Sequence, residues 1–291
     1  MELFHNSRRR VRSGILGGMV GFQRVLRDSR GDLTIVATVL GWIGAVLLLD
    51  TVRAWNGAEP VRQLLLGAVT WAVLVGLLRR EPGLVRAQTM VVVGLATMVE
   101  YTFSPLLQAY VYRIGTVPLF VPPGHGLVYL AALALGRSAL LRAAPQVAVT
   151  LAVVVGGGWA LHGVLGAARP DALGAFWFGC LLGFLIWGRS RLLYVGAFVV
   201  VSYLELVGTH LGTWAWAVRD PVLGVVSQGN PPSGAAGGYG WFDLYALLLA
   251  PRLLTALRRC RSALQGAQHL VVQLTVRGDR AAPERAVDAV E

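Results

Sequence analysis

The chain has 291 residues, 55% hydrophobic and only 14% charged, with a mean hydropathy of +0.61. A soluble domain carries about 25% charged residues, so this composition excludes an ordinary globular fold and points to an integral membrane protein. The net charge of +11 does not signal nucleic-acid binding, because the basic residues, all of them arginine, sit in loops and tails beside apolar segments; the absence of lysine excludes Schiff-base and Walker-lysine chemistry.

Residues 1–32 read as a basic N-terminal arm or an interfacial helix. Ile15, Leu16, Met19, Val20, Phe22, Val25 and Leu26 would form its apolar face, with Arg24 and Arg27 reaching lipid phosphates. The apolar run there is short, broken by glycines and followed by arginines, unlike a cleaved signal peptide. A spanning helix needs roughly 20 apolar residues. That criterion places spans at about 33–50, 61–78, 85–103, 124–141, 146–166, 172–188, 192–211 and 239–257, a transmembrane domain over 33–261. With the N-terminus in the cytoplasm, 21 arginines fall on the inner side and five (Arg53, Arg62, Arg113, Arg169, Arg219) on the outer side. The positive-inside rule then favours eight spans with both termini cytoplasmic. The expected fold class is an all-α polytopic transmembrane helix bundle in a bacterial cytoplasmic membrane. Residues 262–291 read as a partly disordered cytoplasmic tail.

Two outer connections stand out. Residues 104–123 are apolar and aromatic yet carry Gln108, Tyr110, Tyr112 and Arg113 between prolines, the pattern of a re-entrant or interfacial segment packed on protein. Residues 212–238 open with Trp214 and Trp216, which read as interface anchors, and continue through glycines and prolines as an irregular lid. Cys180 and Cys260 fall on opposite sides of the bundle and form no disulfide. A GxxxG-like pair, Gly179 and Gly183, offers a site of close helix contact.

Ionisable residues inside apolar segments mark function by default, because charge in hydrocarbon is costly. At 1.5 Å per residue, Glu100 and Glu205 each lie about 21 Å beyond the arginine that opens their span, and Asp243 lies about 22 Å from Arg258. These three carboxylates therefore share one level near the outer face. His125 opens span 4 there and His210 closes span 7. Glu205 and His210, five residues apart, converge only if the helix unwinds. The expected catalytic set is Glu100, Glu205, Asp243, His125 and His210. Tyr101, Tyr112, Arg113, Trp214, Trp216, Asn230 and Tyr239 are the expected ligand-binding set. Asp50 and His162 read as interfacial. Carboxylic acids held in an apolar setting suit proton transfer to a lipid alkene or oxygen. No cofactor is expected. No HExxH or paired metal-ligand spacing occurs, although the His and carboxylate types leave a divalent metal open.

The segment Glu100, Tyr110-Val111-Tyr112 and Gly115-Thr116-Val117-Pro118-Leu119-Phe120-Val121-Pro122 resembles the membrane-embedded carotenoid biosynthesis hydratases. Trp214-Ala215-Trp216 and the stretch from Asn230 to Asp243 resemble that family's later Trp-x-Trp segment. The resemblance implies acid-assisted addition of water to an isoprenoid double bond without a redox cofactor. The leading expectation is a membrane enzyme working by acid–base chemistry on an isoprenoid or other lipid. Its partners would be membrane lipid and a small lipid substrate, with no nucleic acid. A small proton-coupled transporter and a non-catalytic membrane scaffold are the alternatives.

Overall fold

The computed structural model describes residues 23, 25–51 and 58–281. Of the expected N-terminal apolar face, Ile15 to Phe22 lie outside these residues, as do Arg24 and Arg53. Long apolar runs fold into helices α1 (Arg30–Thr51), α2 (Glu59–Leu78), α3 (Gly83–Tyr101), α4 (Val121–Arg137), α6 (Pro145–Leu165), α7 (Ala172–Trp187), α8 (Arg191–His210) and α9 (Ala235–Ala281), with a short α5 (Ala139–Ala143) after α4. A π-helical turn, Thr102–Leu106, continues α3. Two three-residue strands, β1 (Tyr110–Tyr112) and β2 (Trp214–Trp216), complete the described elements.

The distribution of side chains is that of a multi-pass membrane protein. Leucines and valines of α2 and α6 face outward (Leu64 62% exposed, Val154 63%), whereas Asp50, Gln63, Glu100 and Glu205 are buried. Backbone groups in hydrocarbon must be satisfied within each segment, which is why helices carry the spans. Seven helices are long and apolar enough to cross a membrane, and α7, at 16 residues, is shorter. The expected eight segments are therefore all present as helices, but one falls short of a full span. Even so, α7 runs from one end of the bundle to the other. Its cap, Asp171, holds amides of the loop before α9, and the Ile186 carbonyl near its other end accepts from Arg191 at the start of α8.

α4 is the axle of the bundle. Thirteen of its 17 residues are buried, because α1, α2, α3 and α8 pack around it. The closest approach is to α8. A Cβ at Gly196 would collide with the Ala132 carbonyl, and one at Gly136 would lie 2.6 Å from the Leu192 carbonyl oxygen. Small residues let two backbones meet in this way. The pair anticipated for that role, Gly179 and Gly183, does not fill it: Gly179 has nothing within 4 Å of a Cβ position, and Gly183 meets only Trp187 of its own helix at 3.7 Å.

One end of the bundle is locked by Arg137. Its guanidinium bonds Asp32 of α1 at 2.6 Å and both carboxylate oxygens of Glu81, in the α2–α3 turn, at 2.7 and 2.5 Å. The other end carries Glu100, His125 and Glu205. Regular structure extends into the outer connection there and into the stretch after residue 262. Segment 104–123, expected as a re-entrant or interfacial segment packed on protein, prolongs α3 and then forms β1, which pairs antiparallel with β2 in the register Tyr110↔Trp216, Val111↔Ala215, Tyr112↔Trp214. The ribbon is lengthened by Arg113 donating its amide to the Thr213 carbonyl at 2.8 Å and Ala217 to Ala109 at 3.0 Å. The stretch after residue 262 continues α9 as helix through Ala281; residues 282–291 lie outside the described residues.

Candidate functional site

The ribbon turns two aromatic pairs toward two acids. Side chains two apart on a strand share a face, so Tyr110 and Tyr112 point the same way, and both are buried. Their hydroxyls donate to one oxygen of Glu100, Oε2, at 2.9 and 2.8 Å. Burial, reinforced by the neighbouring Glu100 charge, holds both phenols well above the ordinary tyrosine range, so they remain donors. The other oxygen, Oε1, lies 2.8 Å from His125 Nε2. The imidazole stacks on Tyr239 (centroids 5.3 Å, interplanar angle 22°) and meets the edge of Phe242. Its buried Nδ1 has no hydrogen-bond partner among the described residues.

Glu205 is treated differently. The indole N–H groups of Trp214 and Trp216 both donate to its Oε2 at 3.1 Å. No hydrogen bond within the described residues engages Oε1. Trp214 reaches the acid by lying over Gly208, where a Cβ would collide with its ring. Trp216 packs on Tyr110 (4.7 Å) and Trp214 on Tyr112 (6.0 Å), so the two acid clamps are fastened to each other. Trp214 and Trp216 are thus hydrogen-bonded partners of a buried acid rather than interface anchors.

Both acids line one apolar cavity of about 620 Å³. Trp42, Phe120, Phe176, Trp177, Tyr239 and Phe242 contribute to its wall, together with Asp220, Val222 and Leu223 of the segment before α9. The size suits a drug-sized molecule, with a few polar groups converging in an otherwise apolar pocket.

Several expected residues are placed elsewhere. α8 stays helical through His210, so His210 is carried to the exposed side and does not converge with Glu205; Thr209 instead donates to the Glu205 carbonyl at 2.7 Å. Tyr101 is 47% exposed and does not line the cavity. Arg113 belongs to a separate cluster, in which it bonds the Asp50 carboxylate at 3.1 Å and the Asp50 carbonyl at 2.7 Å. Asp50 also accepts from Gln63 at 2.7 Å and is 1% exposed, a buried ion-pair residue rather than an interfacial one. His162 is exposed. Asn230 accepts from the Trp216 amide at 3.0 Å and so steadies the ribbon from outside the cavity. Asp243 is buried but lies off the cavity wall, within electrostatic reach of Tyr129 and Tyr194.

Three residues that sequence reasoning did not single out organise the loops around the site. Asp171 accepts amides from Gly174 (3.0 Å), Gly229 (2.7 Å) and Ser233 (2.7 Å). Arg169 donates to the carbonyls of Gln228 (2.7 Å), Trp216 (2.8 Å) and Ala217. Burial pulls the Arg169 guanidinium below the ordinary arginine value, with Asp171 opposing the shift. Gln228 donates to the Ala109 carbonyl at 3.1 Å, joining the loop to the β1 side of the ribbon. The available signal was a charged pair flanking Pro170 in an outer loop, together with a glutamine beside a Gly-Asn-Pro-Pro turn.

Among the described residues, no group of three or more His, Cys, Asp or Glu side chains is placed to hold a metal ion. Comparison of the chain with family models, with curated proteins and with solved structures gives no match.

Proposed function

We propose that the protein is an integral membrane enzyme of a bacterial cytoplasmic membrane that acts on an isoprenoid or other lipid by acid–base chemistry, as a hydratase- or cyclase-like catalyst. One observation carries this reading: two buried carboxylates, each held by aromatic donors, share one apolar cavity. Burying two acids in an apolar setting is costly, and acids kept beside a cavity despite that cost are candidates for proton transfer. Glu205, whose Oε1 has no hydrogen bond among the described residues, is the proton donor to an alkene carbon of the ligand. The carbocation so formed is stabilised by the indole and phenol faces of the wall. Water then attacks the cation, the Glu100–His125 pair takes the proton that this water releases, and that proton returns through water to Glu205 before the next turnover. The resemblance to carotenoid hydratases supports the same chemistry and supplies the isoprenoid as substrate class.

The test is mass spectrometry of membrane lipids and pigments in the native host, comparing wild type with Glu100→Gln and Glu205→Gln at matched protein levels. A precursor that accumulates in both variants, with loss of one product, is expected and would identify the substrate. Unchanged lipids with stable protein would overturn the enzyme reading.

A further inference from the structure

The segment between β2 and α9 carries a hairpin whose construction suits an apolar medium. An antiparallel bridge, Arg219↔Ser227, closes it, and the Gln228 amide donates to the Val218 carbonyl at 3.2 Å. At the tip, every amide from Asp220 to Val225 is taken within the hairpin. Asp220 donates to the Val226 carbonyl at 2.8 Å, Gly224 to Asp220 at 2.7 Å and Val225 to Leu223 at 2.8 Å. Val222 and Leu223 donate to the Asp220 carboxylate at 3.0 and 2.8 Å, and Pro221 has no N–H. Gly224 makes the turn with φ +69°, a conformation glycine adopts without strain. The side chains are the reverse of a water-facing turn: Val218 is 64% exposed, Val222 59%, Leu223 59% and Val225 78%. A loop in water has no need to satisfy its amides internally while presenting four aliphatic side chains outward. Exposed aliphatic side chains over amides satisfied within the turn suit the apolar boundary of the bilayer, where an unpaired amide is costly, and the exposed Arg219 at the base of the hairpin would reach the headgroups.

The hairpin also borders the cavity. Val222 and Leu223 line it, and so does Phe176 of α7, which is itself 60% exposed. Val222, Leu223 and Phe176 line the cavity and are exposed, so its mouth lies between the hairpin and α7.

We propose that the hairpin Val218–Gln228 is a wedge inserted among the acyl chains of the adjoining leaflet, and that it forms one lip of a lateral portal through which an apolar ligand passes between the bilayer and the Glu100–Glu205 cavity. The portal rests on the reading of that cavity as a ligand site; the wedge does not.

Two measurements on the full chain test it. In the first, Val225→Cys in a Cys180→Ala/Cys260→Ala background carries an environment-sensitive fluorophore, and the protein is reconstituted in phosphatidylcholine vesicles with or without bromine-labelled acyl chains. Blue-shifted emission, quenched by the bromines, is expected; emission typical of water and unaffected by bromine would overturn the wedge. In the second, cis-parinaric acid is transferred from donor vesicles to the reconstituted protein and followed by energy transfer from the cavity tryptophans. Val218→Asp/Val225→Asp, at positions off the cavity wall, is expected to reach the wild-type occupancy about tenfold more slowly, equivalent to about 1.4 kcal/mol in barrier. Val218→Ser/Val225→Ser, which places no charge in the bilayer, is expected to slow it less. Unchanged loading in the Asp variant would overturn the portal even with the label in lipid. Failure of the wild type to bind the probe would overturn both the portal and the ligand cavity, while a quenched label would still support the wedge.

Discussion

Glu100 and Glu205 are chemically distinct although they share a cavity. Glu100 is engaged through both oxygens, by two phenols and an imidazole, whereas Glu205 is held through one. An amide keeps an acceptor for the indoles, so Glu205→Gln should fold with a thermal midpoint near wild type in detergent while losing turnover. Glu100→Ala should fold worse than Glu100→Gln, since it leaves three buried donors unpartnered. Tyr112→Phe removes one hydrogen bond to a carboxylate and should cost about 1–3 kcal/mol of stability, read as a lowered midpoint. The acids and His125 were legible in the sequence because ionisable groups in apolar runs stand out. The four aromatics holding them were harder to place, because three-residue strands are too short to display a period. His210 shared the right depth but points elsewhere around the axis of α8, and Arg113 lies in the turn after β1, so depth alone does not place a side chain.

Among the elements, the loops at the site end depend on single residues more than the helices do. Asp171 is the sole side-chain acceptor for the amides of Gly229 and Ser233 and caps α7 as well. Asp171→Ala should therefore destabilise by at least about 3 kcal/mol, each buried amide left unpaired costing about 1–3 kcal/mol. Asp171→Asn, which keeps one acceptor oxygen, should fall between, as thermal unfolding will show. Gly208→Ala should displace Trp214 from Glu205 and shift tryptophan emission without unfolding α8. Helix positions were legible to within a few residues, since hydropathy alone sets them. The long α9 was not, because past residue 262 its sequence is polar and only helix propensity remains to read.

For the molecule as a whole, the count of crossings decides the sidedness of the site. α7 has 16 residues, about 24 Å of helix against a core of about 30 Å, yet it connects the two ends of the bundle. If it crosses, the chain traverses the membrane eight times. Tags on both termini should then be accessible from the same side, with Cys260 labelled from that side as well. Tags on opposite sides would mean that α7 stops within the bilayer. The same-side result, with both ends on the arginine-rich side as the positive-inside rule expects, would set the two-acid cavity toward the outer leaflet.

The paired register of the ribbon has a consequence for how such a protein varies over time. Each acid is gripped by one strand, and each grip leans on its neighbour across the ladder, Tyr110 on Trp216 and Tyr112 on Trp214. A change in one strand alters the seat of the other strand's acid, so neither clamp can drift alone. Relatives that retain the chemistry should exchange these aromatics in matched pairs across more than a hundred intervening residues. Relatives that lose one member should lose its partner and both carboxylates together.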